Sequence, residues 1–290
     1  MKTTFFIEGA DNVGKTTLLN ICKSEKFMNR LSQTIHSEYP ERDIIFTKYP
    51  SSNITDYLNY NNKKIKESLS NITNYSNRID KYNLLLYYYD EFKNYKNDMI
   101  KKLLTDMEES FSPDYVNNTV NISDRGLLST YMYQYKNSVD LNVLNFLNLN
   151  NKIHFDIIDA EAMNFFNFLD KYVDPIFHIK EDINTNLNII ILNNNNKDIP
   201  LTIDETETIE YKKDYDNDKY LQNRNNIVLN HIISLSKKDK FKSILYNVYG
   251  ITIYYINIYD ENLIRKTPEE LSEELFNIME SKLTSKEENK

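Results

Sequence analysis

Near the N-terminus the chain reads Gly9-Ala10-Asp11-Asn12-Val13-Gly14-Lys15-Thr16, a G-x-x-x-x-G-K-[ST] pattern. An apolar, β-rich run, Thr3-Thr4-Phe5-Phe6-Ile7, precedes it, and Thr17-Leu18-Leu19-Asn20-Ile21 follows at helical spacing. Strand, loop and helix in that order are the context the pattern requires. Such a loop wraps a phosphate in backbone N–H groups, and the following helix adds the positive end of its dipole. Lys15 would reach the β- and γ-phosphates, and the Thr16 hydroxyl would ligate Mg²⁺. Glycine is scarce, with only four in the chain, yet Gly9 and Gly14 both stand in this loop. Backbone freedom is concentrated where a phosphate must come close.

The rest of the chain supplies strands to build around that loop. Asp43–Pro50 reads as a strand stopped by its proline. Thr119-Val120-Asn121-Ile122-Ser123, Leu187–Leu192 and Ile251–Ile256 read as three more. A helical stretch runs roughly from Arg78 to Glu109. Another begins at Thr267-Pro268-Glu269-Glu270, with Thr267 as N-cap, Pro268 at the first helical position and Glu270 in place for a capping box. Strands alternating with helices predict an α/β fold, a five-stranded parallel sheet flanked by helices in three layers. Ligands then sit beyond the carboxyl ends of the strands, where Glu8, Tyr49, Asp124 and the glycine loop all fall.

Composition narrows the function. Lys+Arg 35 against Asp+Glu 43 leaves a net charge of −8, which argues against a bulk nucleic-acid or anionic-membrane binder. A single cysteine, Cys22, excludes a disulfide framework and a cysteine-rich zinc site. No apolar run approaches a membrane span, and Glu8 interrupts the first apolar stretch too early for a signal segment, so a cytoplasmic protein is expected. Asn makes up about one residue in seven; it is interleaved with apolar residues and reads as codon bias rather than as a functional tract.

A phosphate loop specifies a nucleoside triphosphate and leaves the task open. A GTPase needs an Asn-Lys-x-Asp base reader; the near match Asn196-Lys197-Asp198-Ile199 lacks the final Asp. Asp124-Arg125, ending an apolar strand, has the character of an Mg²⁺-organising carboxylate beside a phosphate-gripping guanidinium.

Here the sequence resembles the thymidylate kinases. Phe6–Thr17 looks like the family's opening. Asp124-Arg125-Gly126-Leu127-Leu128-Ser129-Thr130-Tyr131-Met132-Tyr133-Gln134 is similar to its D-R-[YF]-x-x-S-x-x-A-Y-Q segment. Leu85-Leu86-Tyr87-Tyr88-Tyr89-Asp90-Glu91 matches its L-L-F-x-x-[DN]-R helix except at the last residue. Phe46–Ser52 sits where the family has its strand-end Arg-x-Pro segment, and Tyr215–Arg224 resembles the helix start after the lid.

The resemblance implies a P-loop kinase fold and transfer of the ATP γ-phosphoryl group to a deoxynucleoside 5′-monophosphate, dTMP first, with dUMP or another pyrimidine nucleotide also open. Gly9, Asn12, Val13, Gly14, Lys15, Thr16 and Thr17 would bind ATP; Thr16 and Asp124 would hold Mg²⁺. Lys15, Asp124 and Arg125 would carry the catalysis, Arg125 by gripping the acceptor phosphate. On the acceptor side the resemblance places Asp11 near the 3′-hydroxyl, Lys48 and Tyr49 at the strand end, and Tyr87 where the family stacks a Phe on the base. Ser129 and Thr130 join them, Thr130 near the base edge, and Tyr133 falls on the residue that favours deoxyribose. Ordinary core packing is the alternative for Tyr87 and Tyr133. Similar enzymes are homodimers, which implies a homodimer here.

The departures concern charge. Glu91 stands where the family has an Arg that reads a base carbonyl; a carboxylate repels a carbonyl and accepts from an amino or hydroxyl group. Ser51-Ser52 replaces a phosphate-binding Arg, leaving Lys48 as the nearest cation. Asn12 occupies the position of one subtype's loop Arg, and Asn193–Tyr211 contains none of the other subtype's lid arginines. The motifs run in one order along residues 1–290, read as a single domain with a lid near 193–215 and insertions near 53–79 and 139–186. Ala162–Leu169, inside the second insertion, and Asn142–Leu149 look like helices with apolar stripes, for which extra core is the default reading and a partner surface the alternative. Two other readings stay open: a deoxynucleoside kinase with Glu8 as base, and a degenerate nucleotide-binding module.

Overall fold

The computed structural model describes residues 2–10, 13–38, 43–50, 54, 94, 97–109, 119–136, 157–180, 185–195 and 226–284. The chain divides into two compact units. The first comprises Met1–Tyr49, Phe111–Gly126 and Ile179–Lys290; the second comprises Pro50–Ser110 and Leu127–His178.

The first unit is built on a sheet. Its strands are β1 (Lys2–Gly9), β2 (Asp43–Lys48), β3 (Thr119–Asp124), β4 (Thr185–Asn193) and β5 (Ile251–Asn257). They run in the order β2-β3-β1-β4-β5 and every pairing is parallel. All five strands coincide with the sequence expectation to within a few residues. Their alternation is legible for a physical reason. Phe5, Ile7, Val120, Ile122, Ile190, Leu192 and Ile256 face one side and form a single buried cluster. Three helices cover that side: α1 (Lys15–Cys22), α2 (Glu25–Glu38) and the C-terminal helix Pro268–Thr284. They contribute Leu18 and Leu19, Leu31 and Ile35, and Leu275 and Met279. Each such fully buried aliphatic side chain is worth about 1.5–3 kcal/mol. The C-terminal helix is fastened to α2 by Phe27 standing edge-on to Phe276 and by Arg30, which lies over the Phe276 ring and makes two hydrogen bonds to Glu273.

The other side of the sheet is also buried, with Phe6, Leu187, Ile189 and Ile191 at 2% exposure or less, and helix Asp239–Tyr249 packs against β5. Asparagine enters the sheet interior too. Asn188 is fully buried and donates from Nδ2 to the Thr4 carbonyl; Asn121 accepts from Thr47 Oγ1. Cys22 is free and buried, and burial pushes its thiol up to about 12, so it is unreactive at neutral pH.

The expected capping box is present. The Thr267 N–H donates to Glu270 Oε2 at 2.7 Å, and the Glu270 N–H donates to Thr267 Oγ1 at 3.2 Å.

The second unit is helical among its described residues. Residues 97–109 form one helix. Leu127–Ser129 opens another that widens at once into a π-helical stretch, Thr130–Lys136. Ile157–Phe168 continues as a π-helical Leu169–Val173 and then Asp174–Phe177. Pro175 explains the second widening. A proline inside a helix has no N–H to donate and its ring pushes away the carbonyl four residues back, so the preceding turn opens. The stripe expected at Ala162–Leu169 does face a core: Phe165, Phe168 and Leu169 are fully buried against the Tyr131 and Tyr135 rings or beside them. The stripe expected at Asn142–Leu149 lies outside the described residues.

Candidate functional site

The strand order reverses direction between β1 and β3: the chain leaves β1 for β2 on one side and leaves β3 for β4 on the other. A crevice opens at the carboxyl end of such a switch point. The loop after β1 and the Asp124-Arg125 pair after β3 both stand there. In the ladder, Ile7, Asp124 and Lys48 occupy one rung across β1, β3 and β2.

Gly9 ends β1 at φ 146°, and a Cβ there would stand 2.8 Å from the Leu192 carbonyl oxygen and 3.1 Å from Val13 Cγ1. Only glycine fits, because the loop must leave the sheet through a gap without room for a side chain. Gly14, at φ 99°, is the N-cap of α1; no side chain caps this N-terminus and no acidic residue lies in its first turn. Neither the N-cap residue nor the first turn therefore supplies an anion to these N–H groups, the arrangement that leaves a helix N-terminus suited to a phosphate. Thr16 and Thr17 are exposed in that turn, while Val13 is buried in the core below.

Lys15 is 6% exposed, and its Nζ donates to the Gly9 carbonyl at 2.8 Å and the Ala10 carbonyl at 2.5 Å. The ammonium is thus held across the mouth of the loop by the loop's own carbonyls. A polyphosphate entering the loop offers it stronger, charged acceptors.

After β3 the geometry is equally specific. The Asp124 carbonyl accepts the Tyr49 N–H at 2.9 Å, and the Arg125 N–H donates to the Ile7 carbonyl at 3.0 Å, so the three strand ends are tied together. Arg125 itself is left-handed at φ 70°, a conformation unusual for a residue with a Cβ. Ser123 Oγ donates to the Arg125 carbonyl at 2.8 Å and holds that turn. Asp124 and Arg125 are both half-buried. Lys48 is exposed at the end of β2, and Tyr49 is buried.

The first unit therefore brings together Gly9, Val13, Gly14, Lys15, Thr16, Thr17, Lys48, Tyr49, Asp124 and Arg125. The second unit holds Ser129 and Thr130, both buried, and Tyr133, half-buried on the π-helical stretch. Asp11, Asn12, Tyr87 and Glu91 lie outside the described residues, as do residues 196–215 of the expected lid.

Two features escaped the sequence reading. Arg265, from the loop after β5, has its Nη2 3.9 Å from the point where a Gly14 Cβ would be. Tyr131, in the second unit, is fully buried and donates its hydroxyl to the buried Glu161 carboxylate. Burial, then the Glu161 charge, hold its phenol far above the usual tyrosine range. The first had no signal in sequence, being a contact between residues 251 positions apart. The second was masked by the abundance of tyrosine.

The phosphate loop and the strand order define the P-loop kinase class of α/β fold. No family model matches the chain, and no curated protein matches its sequence. Solved structures similar to it include a thymidylate kinase from Ehrlichia chaffeensis, 14% identical with a TM-score of 0.37, the match covering 96% of this chain and 98% of that one. A thymidylate kinase from Candida albicans is 15% identical with a TM-score of 0.42, covering 97% of this chain and 92% of that one. At those values the likeness carries nothing about site chemistry, which rests on the residues above.

Proposed function

We propose that the chain is a nucleotide kinase that transfers the γ-phosphoryl group of ATP to a deoxynucleoside 5′-monophosphate, dTMP being the first candidate. The observation that carries this reading is the Gly9–Thr16 loop: a gap only glycine fits, an uncapped helix N-terminus and a lysine held across the mouth by backbone carbonyls. Phosphoryl transfer between two polyanions demands alignment and charge neutralisation more than covalent chemistry. Lys15 is placed to exchange its carbonyl partners for donor phosphate oxygens. Arg125, fixed by the Ser123 bond at the neighbouring strand end, suits an acceptor phosphate. The exposed Thr16 hydroxyl and the half-buried Asp124 carboxylate are oxygen donors of the kind Mg²⁺ takes, and they would hold it together with phosphate oxygens. Bound there, the ion would neutralise charge developing on the transferred group.

Tyr87, Ser129, Thr130 and Tyr133 are assigned to the acceptor by resemblance, and Glu91 makes the base preference the most distinctive part of the reading. The deoxynucleoside-kinase alternative needs Glu8 as an accessible base; Glu8 is fully buried, which favours the monophosphate acceptor. A homodimer goes with the same reading. Among the described residues no helix is long and apolar enough to cross a membrane.

The test is ADP release from ATP and Mg²⁺ with a panel of dTMP, dUMP, dCMP and thymidine. Turnover with a deoxynucleoside monophosphate is expected. Turnover with thymidine alone would move the assignment to the nucleoside kinases, and ATP binding without turnover on any acceptor would leave a degenerate module. Glu91→Arg should shift preference toward dTMP.

A further inference from the structure

The loop that joins β5 to the C-terminal helix is built more tightly than a simple connection requires. Asp260 Oδ1 accepts the Asn262 N–H at 2.9 Å and the Ile264 N–H at 2.7 Å, and the Asp260 N–H donates to the Ile264 carbonyl at 2.9 Å. Tyr259 and Arg265 form an antiparallel bridge, and the Lys266 N–H donates to the Ile258 carbonyl. From the end of β4, Asn195 clips the backbone of Tyr259 on both sides, accepting its N–H and donating to its carbonyl. Leu263 is forced to φ 61°, a costly conformation for a bulky residue. Strain of this kind persists only where the surroundings dictate it.

The product of this construction is the placement of Arg265. Two cations sit side by side on the loop. Lys266 is engaged with Glu274 at 2.5 Å. Arg265 has no carboxylate partner among the described residues, and its guanidinium lies against the phosphate loop instead. Among the described residues other than its chain neighbours, Arg265 Nη2 is the one heavy atom within 4 Å of the Gly14 Cβ position, at the N-terminus of α1. Arginine is scarce here, six of the 35 cationic residues, which makes the placement of one beside that glycine informative.

We propose that Arg265 is a donor-phosphate ligand: its guanidinium contacts the phosphates of the triphosphate held by the Gly9–Thr16 loop and supplies the second cation beside Lys15. This rests on the reading that the loop binds a nucleoside triphosphate. A planar guanidinium on a preorganised loop can engage two phosphate oxygens at once with little ordering to be done on binding. Arg265 is exposed and has no ion-pair partner among the described residues, so replacing it removes no ion pair seen there.

The experiment is calorimetric titration of the whole chain with ATP, ADP and adenosine in the presence of Mg²⁺, for the wild type, Arg265→Ala and Arg265→Lys, with thermal unfolding as the folding control. Arg265→Ala should weaken ATP about tenfold or more, ADP by a comparable or smaller factor and adenosine not at all, with partial recovery in Arg265→Lys. In turnover, KM for ATP should rise while KM for the acceptor holds. Wild-type binding of ATP that is unchanged in Arg265→Ala overturns the assignment of Arg265 alone. An equal loss for ATP and adenosine also overturns it, since the residue would then serve the base or the loop and not the phosphates. Failure of the wild type to bind any triphosphate overturns this assignment together with the loop reading beneath it.

Discussion

Gly126 lies against the ring of Phe6: a Cβ built on Gly126 would stand 2.7 Å from both Cγ and Cε1 of that ring. The contact matters because Gly126 directly follows the Asp124-Arg125 turn. Gly126→Ala is therefore expected to destabilise the first unit by about 1–3 kcal/mol through overpacking and to lower turnover with it. Adding Phe6→Leu, which shortens the obstructing ring, should recover part of both losses. Urea unfolding and initial rates of the two single variants and the double variant form the cycle; purely additive effects would show that the two residues are not coupled.

Lys15→Ala removes the amine that spans the loop mouth to Gly9 and Ala10. Since the same amine is proposed to follow the transferred group, turnover should fall by about 10²-fold or more. Lys15→Arg should rescue poorly, because a planar fork does not fit between those two carbonyls. ADP release at saturating ATP separates the outcomes. A Lys15→Ala enzyme within a few fold of wild type would place the chemistry elsewhere.

The C-terminal helix offers a prediction in pH. Hydrogen bonds from the Thr267 N–H and hydroxyl hold the Glu270 carboxyl below its ordinary range. A carboxylate depressed in the folded state contributes stability that is present above its unfolded pKa, about 4.3, and is lost as pH falls through the folded value. Thr267→Ala removes the hydroxyl and keeps the backbone N–H bond, so it should cost about 1 kcal/mol at neutral pH and flatten this acid dependence below pH about 4 only in part. Thermal unfolding of both proteins between pH 7 and pH 3 measures it; parallel curves for the two would show that the Thr267 hydroxyl carries none of the acid sensitivity.

What could be read in advance was local. The glycine loop, the five strands and the Thr267–Glu270 box each declare themselves within a few consecutive residues, since they depend on backbone freedom, side-chain alternation and the spacing of one helical turn. What could not be read depends on neighbours distant in sequence. Nothing near Gly126 announces Phe6, nothing near Gly14 announces Arg265, and the π-helical widening at Thr130–Lys136 has no composition of its own. The abundance of asparagine carries no signal of its own. Asn195 nevertheless pins Tyr259, and Asn188 bonds across the sheet to Thr4. An abundance set by codon usage still leaves individual residues to be recruited by the fold.

In the second unit, the buried Tyr131 hydroxyl donates to Glu161 within a cage of aromatic rings, with Phe165 edge-on at 5.0 Å and Tyr135 stacked at 5.5 Å. Burial and the adjacent carboxylate both raise the phenol pKa. A group whose folded pKa is raised contributes stability in full below its unfolded pKa, about 10, and that contribution is lost as pH rises from there toward the folded value. Tyr131→Phe keeps the ring and removes the donor from a buried carboxylate, so it should cost about 1–3 kcal/mol at neutral pH. The same variant should lose less stability than wild type between pH about 9.5 and pH about 11.5, because unfolding it releases no phenol to ionise. Thermal unfolding across that range decides the matter. An equal alkaline loss in both proteins would assign the sensitivity to other tyrosines, of which Tyr254, also raised by burial, is the next to test.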